Sequence, residues 1–270
     1  SMKSQLSTSQ IKSYRENGYL HYPNLLSEAE VYELKDAVLK AVDRLAEIKP
    51  KSRVAGDAAE MLDDEDKYYD KVFLQRLNLW KINDTVKKYM LSEAIGKMVT
   101  ELEGTEGFRV WHDQTLIKEA YGNPTAWHLD NPYWSFSSPN AISIWISLGK
   151  ATIENGCMWF LPGSHKLKND NTGIGKNIGD LIEKNPQLQN IDPIPVPMKA
   201  GDCSFHNGLL AHGAGANMTR QRRIAMTCAY MPINSVFNGT PNILPPSYLQ
   251  TLKKGELLND DQFNPIVYKS

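Results

Sequence analysis

His128 and Asp130 stand two residues apart in the run Trp127-His128-Leu129-Asp130. In an extended strand side chains alternate between faces, so this spacing points an imidazole and a carboxylate into one cavity. A second imidazole, His212 in Leu210-Ala211-His212-Gly213, falls at the end of a later strand-like run that an antiparallel barrel can lay beside the first. Two imidazoles and one carboxylate that leave three adjacent positions open form the donor set of non-haem Fe(II) oxygenases. A lone His-x-Asp is more often a structural pair, and what lifts this one is Arg223, eleven residues after His212 in the strand-like run Arg222-Arg223-Ile224-Ala225-Met226-Thr227. A fixed guanidinium captures a carboxylate through paired hydrogen bonds. A distal His followed by an Arg on the next strand is what a 2-oxoglutarate site requires. Arg222, on the opposite face, suits the surface.

These residues need a scaffold that brings distant strands together. From Phe108 onward, short strand-like runs separated by Gly, Pro and Asn are expected at 108 to 118, 126 to 130, 141 to 148, 157 to 161, 194 to 198, 202 to 206 and 222 to 231. That many short runs with turn signals between them indicate an antiparallel double sheet or jelly roll. The connection 164 to 193 is too long for a simple turn. With Gly173, Gly175 and Gly179 and a short helix expected near 177 to 185, it is a candidate lid. Ahead of the strands lies a helical layer. Ser27-Glu28-Ala29-Glu30 is a capping-box pattern, and Val31, Leu34, Ala37, Val38, Ala41 and Leu45 follow at helical spacing, giving a helix over about 28 to 47. A shorter helix is expected from Gln10 to Asn17, ended by Gly18, then a strand over Tyr19 to Tyr22, and a further helix from Asn83 to Leu102. Pro50, Gly56 and the cluster Asp63-Asp64-Glu65-Asp66 mark a mobile loop with a solvated acidic face. The organisation expected is one domain over 1 to 270: helical layer 8 to 104, jelly-roll core 108 to 232, C-terminal extension 233 to 270.

Bulk properties exclude several function classes. A chain of 270 residues, 41% hydrophobic and 23% charged, is an ordinary globular composition. A net charge of -1 with no long basic run offers no general attraction to nucleic acid or anionic lipid. There is no apolar run of membrane-spanning length and no secretory pattern. Ser1 ahead of Met2 is expected to be a remnant of tag removal. Cys157, Cys203 and Cys228 are odd in number and widely spaced, which suits buried thiols and a cytoplasmic setting better than disulfides or a zinc site.

Three ordered motifs resemble the phytanoyl-CoA dioxygenase family of Fe(II)/2-oxoglutarate oxygenases: Trp127-His128-Leu129-Asp130; Glu154-Asn155-Gly156-Cys157 leading to Pro162-Gly163-Ser164-His165; and His212-Gly213-Ala214-Gly215-Ala216-Asn217 followed by Arg223. The resemblance covers residues 10 to 232. It implies a double-stranded β-helix with N-terminal helices packed on one sheet, with Fe(II), 2-oxoglutarate and O2 as cofactor and cosubstrates. It further implies hydroxylation of an unactivated C-H in a small organic substrate, with release of succinate and CO2. Carried across residue by residue, it makes His128, Asp130 and His212 the iron ligands and Arg223 the partner of the distal 2-oxoglutarate carboxylate. Gln114 and Trp145 are implied as further cosubstrate contacts. One position departs from the pattern: the residue two after the distal His, often Ser in that family, is Ala214 here, and a hydroxyl is lost. Asp130 retains the carboxylate that halogenating relatives replace, which favours hydroxylation.

Among the other histidines, His165 is expected to make a structural hydrogen bond, His206 to support the site without ligating, and His21 and His112 to have no functional role. Trp127, Tyr133, Trp134 and Phe136 are expected to be either aromatic walls of the site or core. Lys166, Lys168 and Lys176 form a weak basic patch that would suit acyl-CoA phosphates, whereas the acidic loop suits a small polar metabolite. Two other functions fit part of the pattern: a zinc hydrolase using the same three ligands, and a catalytically silent jelly-roll binding module.

Overall fold

The computed structural model describes residues 2–50, 52–55, 72–169 and 174–270. The acidic cluster at 63 to 66, Gly56 and Gly173 lie outside them. The strands are β1 (Tyr19–Tyr22), β2 (Leu74–Leu77), β3 (Gly107–Lys118), β4 (Thr125–His128), β5 (Ile142–Ser147), β6 (Met158–Phe160), β7 (Ile194–Val196), β8 (Cys203–Asn207), β9 (His212–Ala214), β10 (Arg223–Pro232) and β11 (Ile266–Lys269). Two sheets face each other. The larger runs β1-β8-β5-β10-β3-β11 with β2 added beside β3, and the smaller runs β4-β9-β6-β7. Every pairing between these strands is antiparallel. This is the expected jelly roll, with β2 and β11 added at its margin.

Helices cover the outer face of the large sheet. They are α1 (Thr8–Asn17), α2 (Glu28–Ile48), α3 (Asp84–Met90) and α4 (Glu93–Glu103), with short α5 (Asp180–Lys184) and α6 (Pro246–Leu249) further on. In α2 the expected capping box is complete: the Ser27 side chain accepts from the Glu30 N–H and the Glu30 side chain accepts from the Ser27 N–H. Its stripe of Val31, Leu34, Ala37, Val38, Ala41 and Leu45 is buried. Replacing Ser27 with Ala removes one of those bonds, so the thermal melt should show a loss of about 1 kcal/mol of stability. α1 ends at Gly18, whose φ of 83° suits glycine. The single helix expected over Asn83 to Leu102 is instead two, because Ser92 caps the Ile95 N–H and restarts the chain.

Strand parity separates core from cavity. Ile142, Ile144 and Ile146 of β5, Phe205 of β8, and Met226, Cys228 and Tyr230 of β10 pack against the helices in one hydrophobic cluster. The alternate residues Ser143 and Trp145, His206, and Arg223, Thr227 and Ala229 turn inward and line a cavity between the sheets. In β3 a bulge preserves this arrangement: Ala229 pairs with His112 but Tyr230 pairs with Val110, so Trp111 is the extra residue. An inserted residue reverses the alternation. Beyond it His112, Gln114 and Leu116 all face the cavity.

Candidate active site

The sequence-derived residues converge. His128, Asp130, His212, Arg223, Gln114 and Trp145 all line one cavity of about 270 Å³. His128 ends β4, His212 opens β9, and the two are paired across the small sheet with ring centroids 4.2 Å apart. Gly213 permits this approach, since a Cβ there would sit 2.8 Å from the Thr125 carbonyl oxygen. Two expectations need correction. Asp130 is not in the strand: β4 stops at His128, and Asp130 has turned to φ -81°, ψ -41° ahead of a 3-10 turn over Asn131–Tyr133. His212 begins a three-residue strand instead of ending one, a run too short to show alternation. Both side chains still reach the centre, because the turn folds Asp130 back toward β9.

The ligand atoms of His128, Asp130 and His212 lie within 4.8 Å of one another. Asp130 Oδ1 is 3.4 Å from His128 Nε2 and 3.3 Å from His212 Nε2. His128 Nδ1 lies 2.8 Å from the Ala126 carbonyl and His212 Nδ1 2.9 Å from that of Leu210. A carbonyl only accepts, so each Nδ1 carries the proton and each neutral ring presents its Nε2 lone pair inward. Burial acts to raise the Asp130 carboxyl, but its closeness to the imidazoles of His212, His128 and His206 outweighs burial and holds the group well below the usual carboxylate range. Two lone pairs and an anionic oxygen facing one point are mutually repulsive until a cation sits among them. The donor set therefore fits a divalent metal with nitrogen and oxygen ligands, and the imidazole-to-carbonyl bonds are the outer support such ligands require.

Arg223 presents the complementary problem. It is buried, donates through its two terminal nitrogens to the carbonyls of Gly156 and Leu116, and stacks on Trp145 with Cζ 5.1 Å from the ring centroid. Its Nε has no partner, and no carboxylate among the described residues pairs with it. Burial pushes the guanidinium down to about 10. Behind it Lys118 is also buried, pushed down to about 6 by burial and then by Arg223, and donates to the Asn123 carbonyl and to Thr125 Oγ1. A buried guanidinium that no carboxylate among the described residues balances describes a site made for an anion. The motif around Gly156 thus has a structural role: its φ of 99° belongs to the turn that offers a carbonyl to Arg223. Arg222 lies at the surface, as expected, where it pairs with Glu119.

Sequence reasoning missed two groups. Thr125 pairs with Ala214 across β4 and β9, and both line the cavity with Arg223. Its hydroxyl accepts from Lys118 and so has its own proton free to donate, on the strand facing the position where the family's serine is absent. A register drawn through His212 could have found it. His112, expected to be without a role, faces the cavity because of the β3 bulge, and burial pushes it down to about 4, leaving it neutral. His165 makes the expected structural bond, to the Arg15 carbonyl, and His21 pairs with Asp202. Tyr133 and Trp134 line the cavity, whereas Phe136 and Trp127 belong to hydrophobic clusters. From the long connection, Ile174 reaches the cavity and its N–H donates to the Tyr133 hydroxyl. Among the described residues no helix is long and apolar enough to cross a membrane.

A jelly roll with this donor set beside a buried arginine that pairs with no carboxylate among the described residues defines a non-haem iron, 2-oxoglutarate-dependent oxygenase. Residues 14–225 match the family model described as phytanoyl-CoA dioxygenase (PhyH). The dioxygenase lolE1 of Epichloe uncinata is 28% identical over 230 residues, 83% of this chain and 82% of that protein. Among solved structures, the non-heme alpha ketoglutarate dependent carbocyclase SnoK from nogalamycin biosynthesis superposes with a TM-score of 0.78 at 25% identity, covering 98% of each chain. The alpha ketoglutarate dependent epimerase SnoN from the same biosynthesis gives 0.74 at 26% identity, covering 97% of this chain and 96% of its own. The chain belongs to the phytanoyl-CoA dioxygenase family.

Proposed function

We propose that this protein hydroxylates an unactivated C-H bond of a compact, mainly apolar organic molecule. His128, Asp130 and His212 hold Fe(II), and Arg223 holds the distal carboxylate of 2-oxoglutarate. The observation that carries the reading is the convergence of Asp130 Oδ1 and two imidazole Nε2 atoms in the same cavity as a buried guanidinium without a carboxylate. When bound, iron with 2-oxoglutarate and O2 supplies the oxidant: one oxygen atom enters the C-H bond, the other enters succinate, and CO2 leaves. The protein supplies placement and dryness. Arg223 is fixed in direction by Trp145 and by the Gly156 and Leu116 carbonyls, so little side-chain entropy remains to be lost on capturing the anion. Thr125 donates its hydroxyl proton to the same carboxylate. Gln114, held by the Gln75 amide, and Trp145 form the adjacent wall. Val54, Phe73, Leu77, Trp134, Ile174 and Ile243 give the same cavity an apolar lining that receives the substrate, which the neutral His112 meets as a polar contact.

A hydrogen bond to a charged group is worth about 1.5–3 kcal/mol. Thr125→Val should therefore raise the KM for 2-oxoglutarate about tenfold or more with the thermal melt little changed, measured by succinate formation. The reaction itself is tested by incubating the protein with Fe(II), 2-oxoglutarate and a panel of small apolar candidates under 18O2. Substrate-dependent succinate matched one to one by product carrying a single 18O is the expected result, and succinate independent of every candidate would count against it. A second outcome is favoured by the near-full-length match to the carbocyclase SnoK and the epimerase SnoN. Ring closure or epimerisation would also consume 2-oxoglutarate but leave the product without the label.

A further inference from the structure

Three histidines surround the Asp130 carboxylate, and one behaves differently from the other two. His128 and His212 turn Nδ1 to backbone carbonyls and Nε2 to Oδ1. His206, inward-facing on β8, places Nε2 3.0 Å from Oδ2, the other carboxylate oxygen. Its Nδ1 is buried and meets no partner. A protonated Nδ1 there would be an orphaned donor, which costs more than an orphaned acceptor that has lost only a lone-pair contact. The proton of the neutral ring therefore belongs on Nε2, where Oδ2 accepts it.

Among the described residues no other side-chain donor of this kind reaches Oδ2. Asp130 precedes a 3-10 turn at which its side chain makes no capping bond, and β4 has already ended, so no ladder fixes its direction. His206 itself is held firmly: it lies in β8 between Tyr19 of β1 and Ser143 of β5, with its ring beside Phe160 and His212 at centroid distances of 5.7 and 4.5 Å. It also falls outside the set of mutually close ligand atoms formed by His128, Asp130 and His212.

We propose that His206 is a positioning residue whose Nε2–H holds Asp130 Oδ2, so that Oδ1 alone is presented between the two imidazoles and the remaining coordination positions stay available for cosubstrates. The proposal rests on the reading that the three residues hold a metal. Outer hydrogen bonds of this kind change metal affinity about 10- to 100-fold when removed.

Co(II) titrated into the metal-free protein without oxygen or 2-oxoglutarate tests it by calorimetry and by the visible spectrum of the bound ion, with no turnover needed. His206→Met removes the donor and His206→Gln restores an N–H near the Nε2 position at similar volume. The expected result is a loss of about 10- to 100-fold in Co(II) affinity with an altered spectrum for H206M, and recovery of most of both in H206Q. Equal affinity and spectra in wild type and H206M would overturn the proposal, as would equal losses in both variants, which would mean a packing or ligand role for the ring. Wild-type protein that binds no Co(II), or H212A that binds it as well as wild type, would instead overturn the metal site itself. A wild-type crystal with Mn(II) decides independently of variant folding: Asp130 should ligate through one oxygen with the Oδ2 to His206 bond kept, and a carboxylate ligating through both oxygens contradicts the proposal.

Discussion

Asp130→Ala should lower 2-oxoglutarate turnover by at least about a thousandfold, the scale set by a metal centre worth several kcal/mol to the reaction. The fold should survive. Asp130 belongs to none of the hydrophobic clusters and caps no helix, and its removal takes a half-buried charge out of the protein. Far-UV circular dichroism and the thermal melt should match wild type while Co(II) binding is lost. Asp130→Asn should recover little, since an amide is a weak ligand and carries no charge to balance the cation. Turnover within tenfold of wild type in D130A would mean that the carboxylate is not a ligand.

Arg223→Met has the second largest expected effect, and it falls on a different constant. Truncating one partner of a buried, hydrogen-bonded charge pair costs about 2–5 kcal/mol, so the KM for 2-oxoglutarate should rise at least about 30-fold while Co(II) affinity stays near wild type. Lys at this position should not rescue. The site depends on a planar fork stacked on Trp145 and tied to two carbonyls, and an ammonium reproduces neither feature. In the protein without cosubstrate the effect on stability should be small, because a guanidinium that burial already pushes down to about 10 is costly to keep dry. An unchanged KM would place the 2-oxoglutarate carboxylate elsewhere, with Lys118 the nearest alternative. A zinc hydrolase would give Arg223 no such duty.

What the sequence made legible follows from which physical signals are local. Helix α2 was readable because its capping box and apolar stripe are complete within one segment, and β3, β5 and β10 because buried strands of six or more residues show their composition. The three proposed ligands and Arg223 could be picked out by residue type and spacing, and all four meet in one cavity. The rest depended on register. Thr125 matters because it lies opposite Ala214, and His112 faces inward only because Trp111 is bulged out, facts that no single strand carries. The break at Ser92 was missed because apolar periodicity continues through it, whereas the cap that interrupts the helix is one side chain. Asp130 lines the same cavity as His128 through a turn and not through strand alternation, so the spacing brings the two together by a geometry that one strand does not contain.

His128, Asp130 and His212 are proposed to share one metal ion with a 2-oxoglutarate anchored by Arg223. A crystal grown anaerobically with Fe(II) and 2-oxoglutarate, with data collected at the iron absorption edge, tests it most directly. An anomalous peak at bonding distance from both Nε2 atoms and Asp130 Oδ1, with the cosubstrate's distal carboxylate against Arg223 and Thr125, is the expected result. A peak elsewhere, or a carboxylate turned away from Arg223, would contradict it.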